Sequence, residues 1–152
     1  MQFPSELYSF FKDLKHNNNR EWFATHKPRF KQIESQVKAF GEALKDQLNQ
    51  HDSIDRFKLF RIYRDIRFSK DKTPFKTHFG LTWHRTKPQN RGGYYLHLSP
   101  GKNFLACGFW APNPADLKRI RQEIDIDGDE SIAPSSTTSL FAVYGVNWRV
   151  KQ

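Results

Sequence analysis

The stretch from Tyr94 to Trp110 reads YYLHLSPGKNFLACGFW, and it decides the fold class of this chain. Two runs rich in aromatic and branched residues flank a connector that contains Ser, Pro, Gly and Asn. Runs of that composition favour β-strands, and such a connector favours a turn. We therefore predict an antiparallel hairpin with strands at 94–98 and 104–110. Two further strands are predicted before it, at 57–63 and 80–84.

Helical spacing dominates the N-terminal third of the sequence. The apolar residues from Phe3 to Leu14 recur every three or four positions, which predicts a helix over 4–16. Asn18 stands three residues before Glu21, so we expect it to cap a short second helix that carries Trp22 and Phe23. We expect Pro28 to interrupt that helix, and the apolar repeat that follows predicts a long helix over 28–50.

The C-terminal part changes character twice. Asn113-Pro114 is typical of a helix start and predicts a closing helix over 113–124. The fold class is therefore α+β, with N-terminal helices packed on an antiparallel sheet of about four strands. We expect residues 1–130 to form a single domain. The Ser/Thr-rich residues 131–152 form an atypical tail, whose apolar part is either a docked terminal strand or a loosely attached segment.

Composition narrows the compartment and the chemistry. The single cysteine, Cys107, excludes an intrachain disulfide, and no zinc-type pairing of Cys and His occurs. The N-terminus does not resemble a secretion signal, and no apolar run approaches ~18 residues, so we expect a cytoplasmic protein with no membrane association. No phosphate-binding loop, dinucleotide signature or catalytic Ser elbow is present, and no cofactor is predicted.

The net positive charge of the chain is confined to one stretch. Residues 56–91 hold eleven Lys and Arg and two acids, a net charge of +9, which equals the formal charge of the whole chain. Charge this localised indicates a site for an anion, because so many cations repel one another unless a ligand neutralises them. The alternative is a solvated surface on which Lys and Arg prevent edge-to-edge strand pairing.

The densest part of this stretch predicts the site residues. Arg offers a fork of donors that fits a phosphate, Lys adds a mobile charge, and a hydroxyl adds a neutral donor. The predicted anion-binding residues are Arg61, Arg64, Arg67, Ser69, Lys70, Lys72 and Lys76. Asp65 and Asp71 lie between these cations and are expected to orient them. The expected partner is a phosphate-bearing ligand or a nucleic acid.

Two other functions stay open from the residues alone. His97, with Tyr95 on the same strand face, is a candidate general acid or base, and Asp65 is a second catalytic candidate. These would serve a hydrolase or transferase that acts on a phosphorylated substrate. The second alternative is a protein-interaction module whose cations meet an acidic partner. The histidines lack the spacing of a metal site, so no metal is predicted.

Several motifs together resemble the bacterial family called domain of unknown function 2461. The resemblance covers about residues 3–124 and rests most on the pattern Arg-Asp-x-Arg-Phe-Ser-x-Asp-Lys-x-Pro at 64–74. It is also carried by the segments 19–23, 93–100 and 108–112. The resemblance implies an intracellular α+β domain and adds no chemistry, since the family has no established activity. Its members usually continue with further helical sequence, so we expect residues 131–152 to reflect a truncation or a shifted reading frame near Glu130.

Overall fold

Two helices, an antiparallel sheet and a third helix make up the described part of the chain. The structure is a computed structural model and describes residues 5–87, 92–108, 112–126 and 141–144. In chain order the elements are α1 (Ser5–His16), α2 (Arg20–Leu48), β1 (Ile54–Leu59), β2 (Phe79–Arg85), β3 (Gly93–Leu98), β4 (Phe104–Gly108), α3 (Pro114–Ile126) and β5 (Phe141–Tyr144). The predicted α+β class and the closing helix are confirmed.

The sheet is a simple antiparallel meander in the order β1-β2-β3-β4-β5. The predicted hairpin is the β3–β4 pair, in which Tyr95 lies opposite Ala106. Its turn contains Gly101 at φ 75°, a conformation that glycine adopts without steric cost. The Asn103 side chain accepts a hydrogen bond from the Ser99 amide at 3.0 Å, which closes the turn.

The fifth strand comes from the tail. Phe141–Tyr144 pairs with β4, with Val143 opposite Ala106, so this part of the tail is a docked strand. Residues 127–140 and 145–152 lie outside the described residues, and with them the position of the suspected truncation near Glu130. The domain boundary at 130 stays a prediction.

Two expectations about the second helix were wrong. α2 runs unbroken through Pro28, because Phe23 and Phe30 on either side of it both pack into the core, with ring centroids 5.4 Å apart. This packing outweighs the one helical hydrogen bond that proline cannot donate. The cap is Asn19, whose side chain accepts from the Trp22 amide at 2.8 Å, and Asn18 has a different role described below.

The core lies between the helices α1 and α2 and one face of the sheet, which we call the inner face. Its largest fully buried side chains include Phe10 and Phe11 from α1 and Phe79 and Trp83 from β2. The Trp83 indole donates a buried hydrogen bond to the Gly41 carbonyl at 2.9 Å. A Cβ atom at Gly41 would lie only 2.0 Å from the Phe57 ring, so α2 approaches the sheet closely at this point.

Within the described residues, no helix combines the length and the apolar character that a membrane crossing requires.

Candidate functional site

The centre of the basic stretch forms a hairpin that extends beyond β1, and we call residues 60–76 the basic hairpin. The Arg64 amide donates to the Pro74 carbonyl at 2.9 Å, and the Lys76 amide donates to the Ile62 carbonyl at 2.8 Å. Tyr63 and Phe75 form an isolated antiparallel bridge between them. The backbone of this segment is therefore ordered by its own strand-like pairing.

The basic hairpin is attached to the helices through Phe75. The buried Phe75 ring stacks on Phe23 with centroids 4.1 Å apart. The Asn18 amide group donates to the Phe75 carbonyl at 3.0 Å and accepts from the Phe75 amide at 3.1 Å. Phe75 has Tyr63 on one side but no strand on the other, and the Asn18 side chain takes the place of that strand. It satisfies the N–H and the C=O of Phe75, which burial would otherwise leave unpaired.

A pocket of about 330 Å³ opens between α2 and the basic hairpin. Its walls combine rings and apolar groups with three cationic side chains. The lining residues are Arg20, Phe23, Ala24, Lys27, Tyr63, Arg64, Ile66, Pro74 and Phe75.

The three cations of this pocket differ in how they are satisfied. Arg64 is held by the Asp71 carboxylate and the Thr73 hydroxyl. Arg20 and Lys27 lie two helical turns apart on α2, and their side chains have no hydrogen bond or ion pair within the described residues. The pocket thus carries two uncompensated positive charges beside one oriented guanidinium.

The two acids of the basic hairpin act on its cations. The Thr73 amide, then Arg64 and the Thr73 hydroxyl, lower the pKa of Asp71 to about 2, so this carboxylate is ionised at neutral pH. Asp65 binds Arg67 through two contacts of 2.9 and 2.6 Å, and those hydrogen bonds lower the pKa of Asp65. Each acid thus contacts one arginine of the basic hairpin, and the role of orienting these arginines toward a ligand stays a prediction.

The remaining predicted anion-binding residues lie on different parts of the basic hairpin. Arg67 lies over Phe68, which is 96% exposed at the tip. The Lys72 ammonium donates to the Ile66 carbonyl at 3.0 Å, and the Ser69 amide donates to the same carbonyl at 3.4 Å. Lys70 is exposed.

The last two predicted residues, Arg61 and Lys76, lie at the base of the basic hairpin. Lys76 lies over the Phe60 ring at 5.8 Å. Burial lowers the pKa of Lys76, and the nearby Arg61 charge adds to that effect. The structure therefore brings only Arg64 of the predicted set into the pocket, and Arg91 of the basic stretch lies outside the described residues.

Sequence reasoning missed Arg20 and Lys27. The expected break at Pro28 assigned them to a minor helix, and they lie outside the basic stretch. The signal that could have found them is their spacing of seven residues, which places two cations on one side of a continuous helix next to Phe23.

A second group of titratable side chains lies around His97, on the face of the sheet opposite the core. The Tyr95 hydroxyl lies 3.1 Å from Nδ1 of His97, and the His78 ring stacks on His97 with centroids 4.3 Å apart. Burial lowers the pKa of His97, and it lowers that of His78 to about 4 with help from the charges of His97 and Lys76. Asp65, the other catalytic candidate, instead binds Arg67. Nowhere in the described residues do three His, Cys, Asp or Glu side chains gather as metal ligands would.

The fold and these two sites define a small α+β protein with a cationic pocket on one side and a ring-bearing sheet face on the other. The sequence model of the family described as "Conserved hypothetical protein (DUF2461)" matches residues 6–145, and the chain belongs to that family. The match extends the predicted resemblance from residue 124 through β5. Comparison with curated proteins finds no match, and comparison with solved structures finds none either.

Proposed function

We propose that this protein binds a small phosphate-bearing ligand of the cytoplasm in the pocket between α2 and the basic hairpin. The observation that carries the proposal is the convergence of Arg20 and Lys27, both without a partner among the described residues, with Arg64 on a single concavity. Like charges gathered around one pocket repel each other, and an anion between them relieves that repulsion.

Arg64 is suited to direct contact with the ligand. Asp71 and Thr73 fix its guanidinium, and the Asp71 carboxylate is itself ionised at neutral pH. A planar guanidinium held in one orientation loses little side-chain entropy on binding and can present its remaining N–H groups to phosphate oxygens. Because Asp71 neutralises the charge of Arg64, the net positive charge of the pocket comes from Arg20 and Lys27.

The walls of the pocket indicate the kind of molecule that carries the phosphate. Phe23, Tyr63 and Phe75 present rings around the cations, and the volume of about 330 Å³ lies at the lower end of small-molecule sites. A compact phosphorylated molecule with an apolar or aromatic part matches both features.

Calorimetric titration of the purified protein with phenyl phosphate tests the proposal. The double variant Arg20→Gln/Lys27→Gln should bind at least about tenfold more weakly, since each charge-assisted hydrogen bond contributes about 1.5 to 3 kcal/mol. The matched control is Lys12→Gln/Lys38→Gln, which removes the same charge from exposed helical positions outside the pocket. Equal losses in both variants would show a diffuse charge effect and reject the pocket.

The two alternative functions lead to different results in the same preparation. A hydrolase or transferase would turn over members of a phosphoester panel and lose that turnover in His97→Gln or Asp65→Asn with the fold intact. A protein-interaction module would co-purify with an acidic protein, and phenyl phosphate would not displace that protein. Binding of phenyl phosphate without turnover favours the pocket proposal over both.

A further inference from the structure

The face of the sheet opposite the core, which we call the outer face, carries an unusual set of side chains. Alternation along β2 directs Phe79, Leu81 and Trp83 inward and places the positions between them on the outer face. Three rings on the central strands β3 and β4 belong to this set, namely Tyr95, His97 and Phe104. Thr82 and Ala106 lie opposite Tyr95 in the flanking strands and add little height beside the rings.

The rings form one continuous layer. The His97 and Phe104 rings are nearly parallel, at 12° with centroids 4.8 Å apart. His78 stacks on the other side of His97 at 4.3 Å, and Tyr95 lies 5.8 Å from Phe104. Since burial lowers the pKa of both histidines, their imidazoles are uncharged at neutral pH, and His97 lies as a neutral ring between His78 and Phe104.

Cations border this layer on the β1 side. Arg56 lies opposite His84 and Lys58 lies opposite Thr82, so both occupy outer-face positions. The ammonium groups of Lys58 and Lys76 both lie over the Phe60 ring, at 5.3 and 5.8 Å. Burial lowers the pKa of His84, and the charges of Arg56, Lys58 and Lys87 lower it further. The Asp55 charge raises it, with a smaller effect. The border is therefore predominantly positive.

The ring layer is partly exposed and closely spaced, whereas Thr82 and Ala106 beside Tyr95 are buried. Tyr95, His97 and Phe104 are each half-buried, and Phe60 is 36% exposed. Gly80 separates Phe60 from Tyr95, and a Cβ atom there would lie 2.9 Å from the Tyr95 hydroxyl and 3.0 Å from the Phe60 ring. The missing side chain lets the basic border approach the rings.

We propose that the outer face binds single-stranded nucleic acid, with bases stacked on Tyr95 and Phe104 and phosphates beside Arg56, Lys58 and Lys76. Antiparallel sheets that carry helices on one face and rings on the other can stack unpaired bases, and cations along the border follow the backbone. Charge complementarity selects a polyanion, and the ring layer selects one with exposed planar bases. This inference uses none of the pocket-lining residues and does not rest on the proposed function.

Fluorescence anisotropy with labelled ten-nucleotide U and dT oligonucleotides tests the inference at several salt concentrations. The double variant Tyr95→Leu/Phe104→Leu keeps apolar bulk and removes two stacking surfaces. We expect it to bind at least about tenfold more weakly with an unchanged salt slope, because base stacking does not release counterions. Lys58→Gln should instead flatten the salt slope by about 0.7.

The controls separate stacking from general charge attraction. Lys12→Gln/Lys38→Gln should retain the affinity and slope of the unaltered protein, and a duplex or inorganic polyphosphate should compete poorly. Unchanged oligonucleotide binding by a folded Tyr95→Leu/Phe104→Leu variant, checked by circular dichroism, would overturn the inference. So would polyphosphate competing as well as unlabelled oligonucleotide. Loss of oligonucleotide binding in Arg20→Gln/Lys27→Gln but not in the ring variant would place the polymer in the pocket and also overturn it.

Discussion

The inner and outer faces of the same sheet carry different kinds of side chain. On β2 and β3 the inner positions hold residues such as Trp83 and Leu81, which are 0% exposed. On β3 the outer positions hold Tyr95 and His97, which are half-buried and joined by a polar contact of 3.1 Å. Because side chains alternate between the two faces along a strand, the inner positions can contribute to stability while the outer positions stay available for contacts with a ligand. Substitutions on the two faces should therefore have separable effects.

The largest expected effect is on the inner face, at Trp83. Trp83→Ala removes a fully buried indole and leaves the Gly41 carbonyl without its donor, so the free energy of unfolding should fall by about 3 to 5 kcal/mol. Tyr95→Ala on the outer face, where the side chain is half-buried, should cost much less. Urea denaturation followed by circular dichroism compares the two. Equal losses would contradict the assignment of stability to the inner face.

The next effect concerns the close approach of α2 to the inner face. Gly41→Ala places a methyl group against the Phe57 ring, which must move, and we expect a loss of about 1 to 3 kcal/mol. Gly101→Ala is the matched control. No atom lies within 4 Å of the Cβ position at Gly101, so the only expected cost is the strain of alanine at a φ of +75°. Thermal denaturation should rank Gly41→Ala as the more damaging, and the reverse order would mean that the helix can shift away from the sheet.

A smaller effect should appear as pH dependence of the outer face. The folded pKa of His78 is about 4, below its ordinary 6.5, so the unfolded chain takes up this proton first as pH falls. Stability from a neutral His78 is complete above pH 6.5 and is lost between pH 6.5 and 4. His78→Gln should lose less stability over that interval in urea titrations at pH 7, 5.5 and 4. His84 and His97, whose pKa values are also lowered, keep some dependence in the variant.

The smallest effect is expected at the tip of the basic hairpin. Arg67 and Asp65 form an ion pair with both side chains largely in solvent. Such pairs are screened and add little, so Arg67→Gln should leave the urea midpoint unchanged. A clear shift would show that the tip packs against part of the protein and that the basic hairpin is not simply exposed there.

Local patterns predicted the elements, whereas contacts distant in sequence decided the exceptions. The apolar spacing of α1 and the turn before Phe104 need no knowledge of the rest of the fold. The continuity of α2 through Pro28 depends on where Phe23 and Phe30 pack, which the sequence does not state. Charge density singled out the stretch in which the basic hairpin lies, but it did not predict that residues 60–76 form a hairpin. The pocket depends on Arg20 and Lys27, which come near Arg64 only after α2 packs beside the basic hairpin.

The paired hydrogen bonds between Asn18 and Phe75 join positions 57 residues apart in sequence. One wall of the pocket is formed by α2 and the other by the basic hairpin. The Asn18 side chain joins the two walls. We expect the Phe75 amide hydrogen to exchange with deuterium only when the basic hairpin separates from the connection between α1 and α2. Its exchange rate therefore reports how firmly the two walls of the pocket are joined.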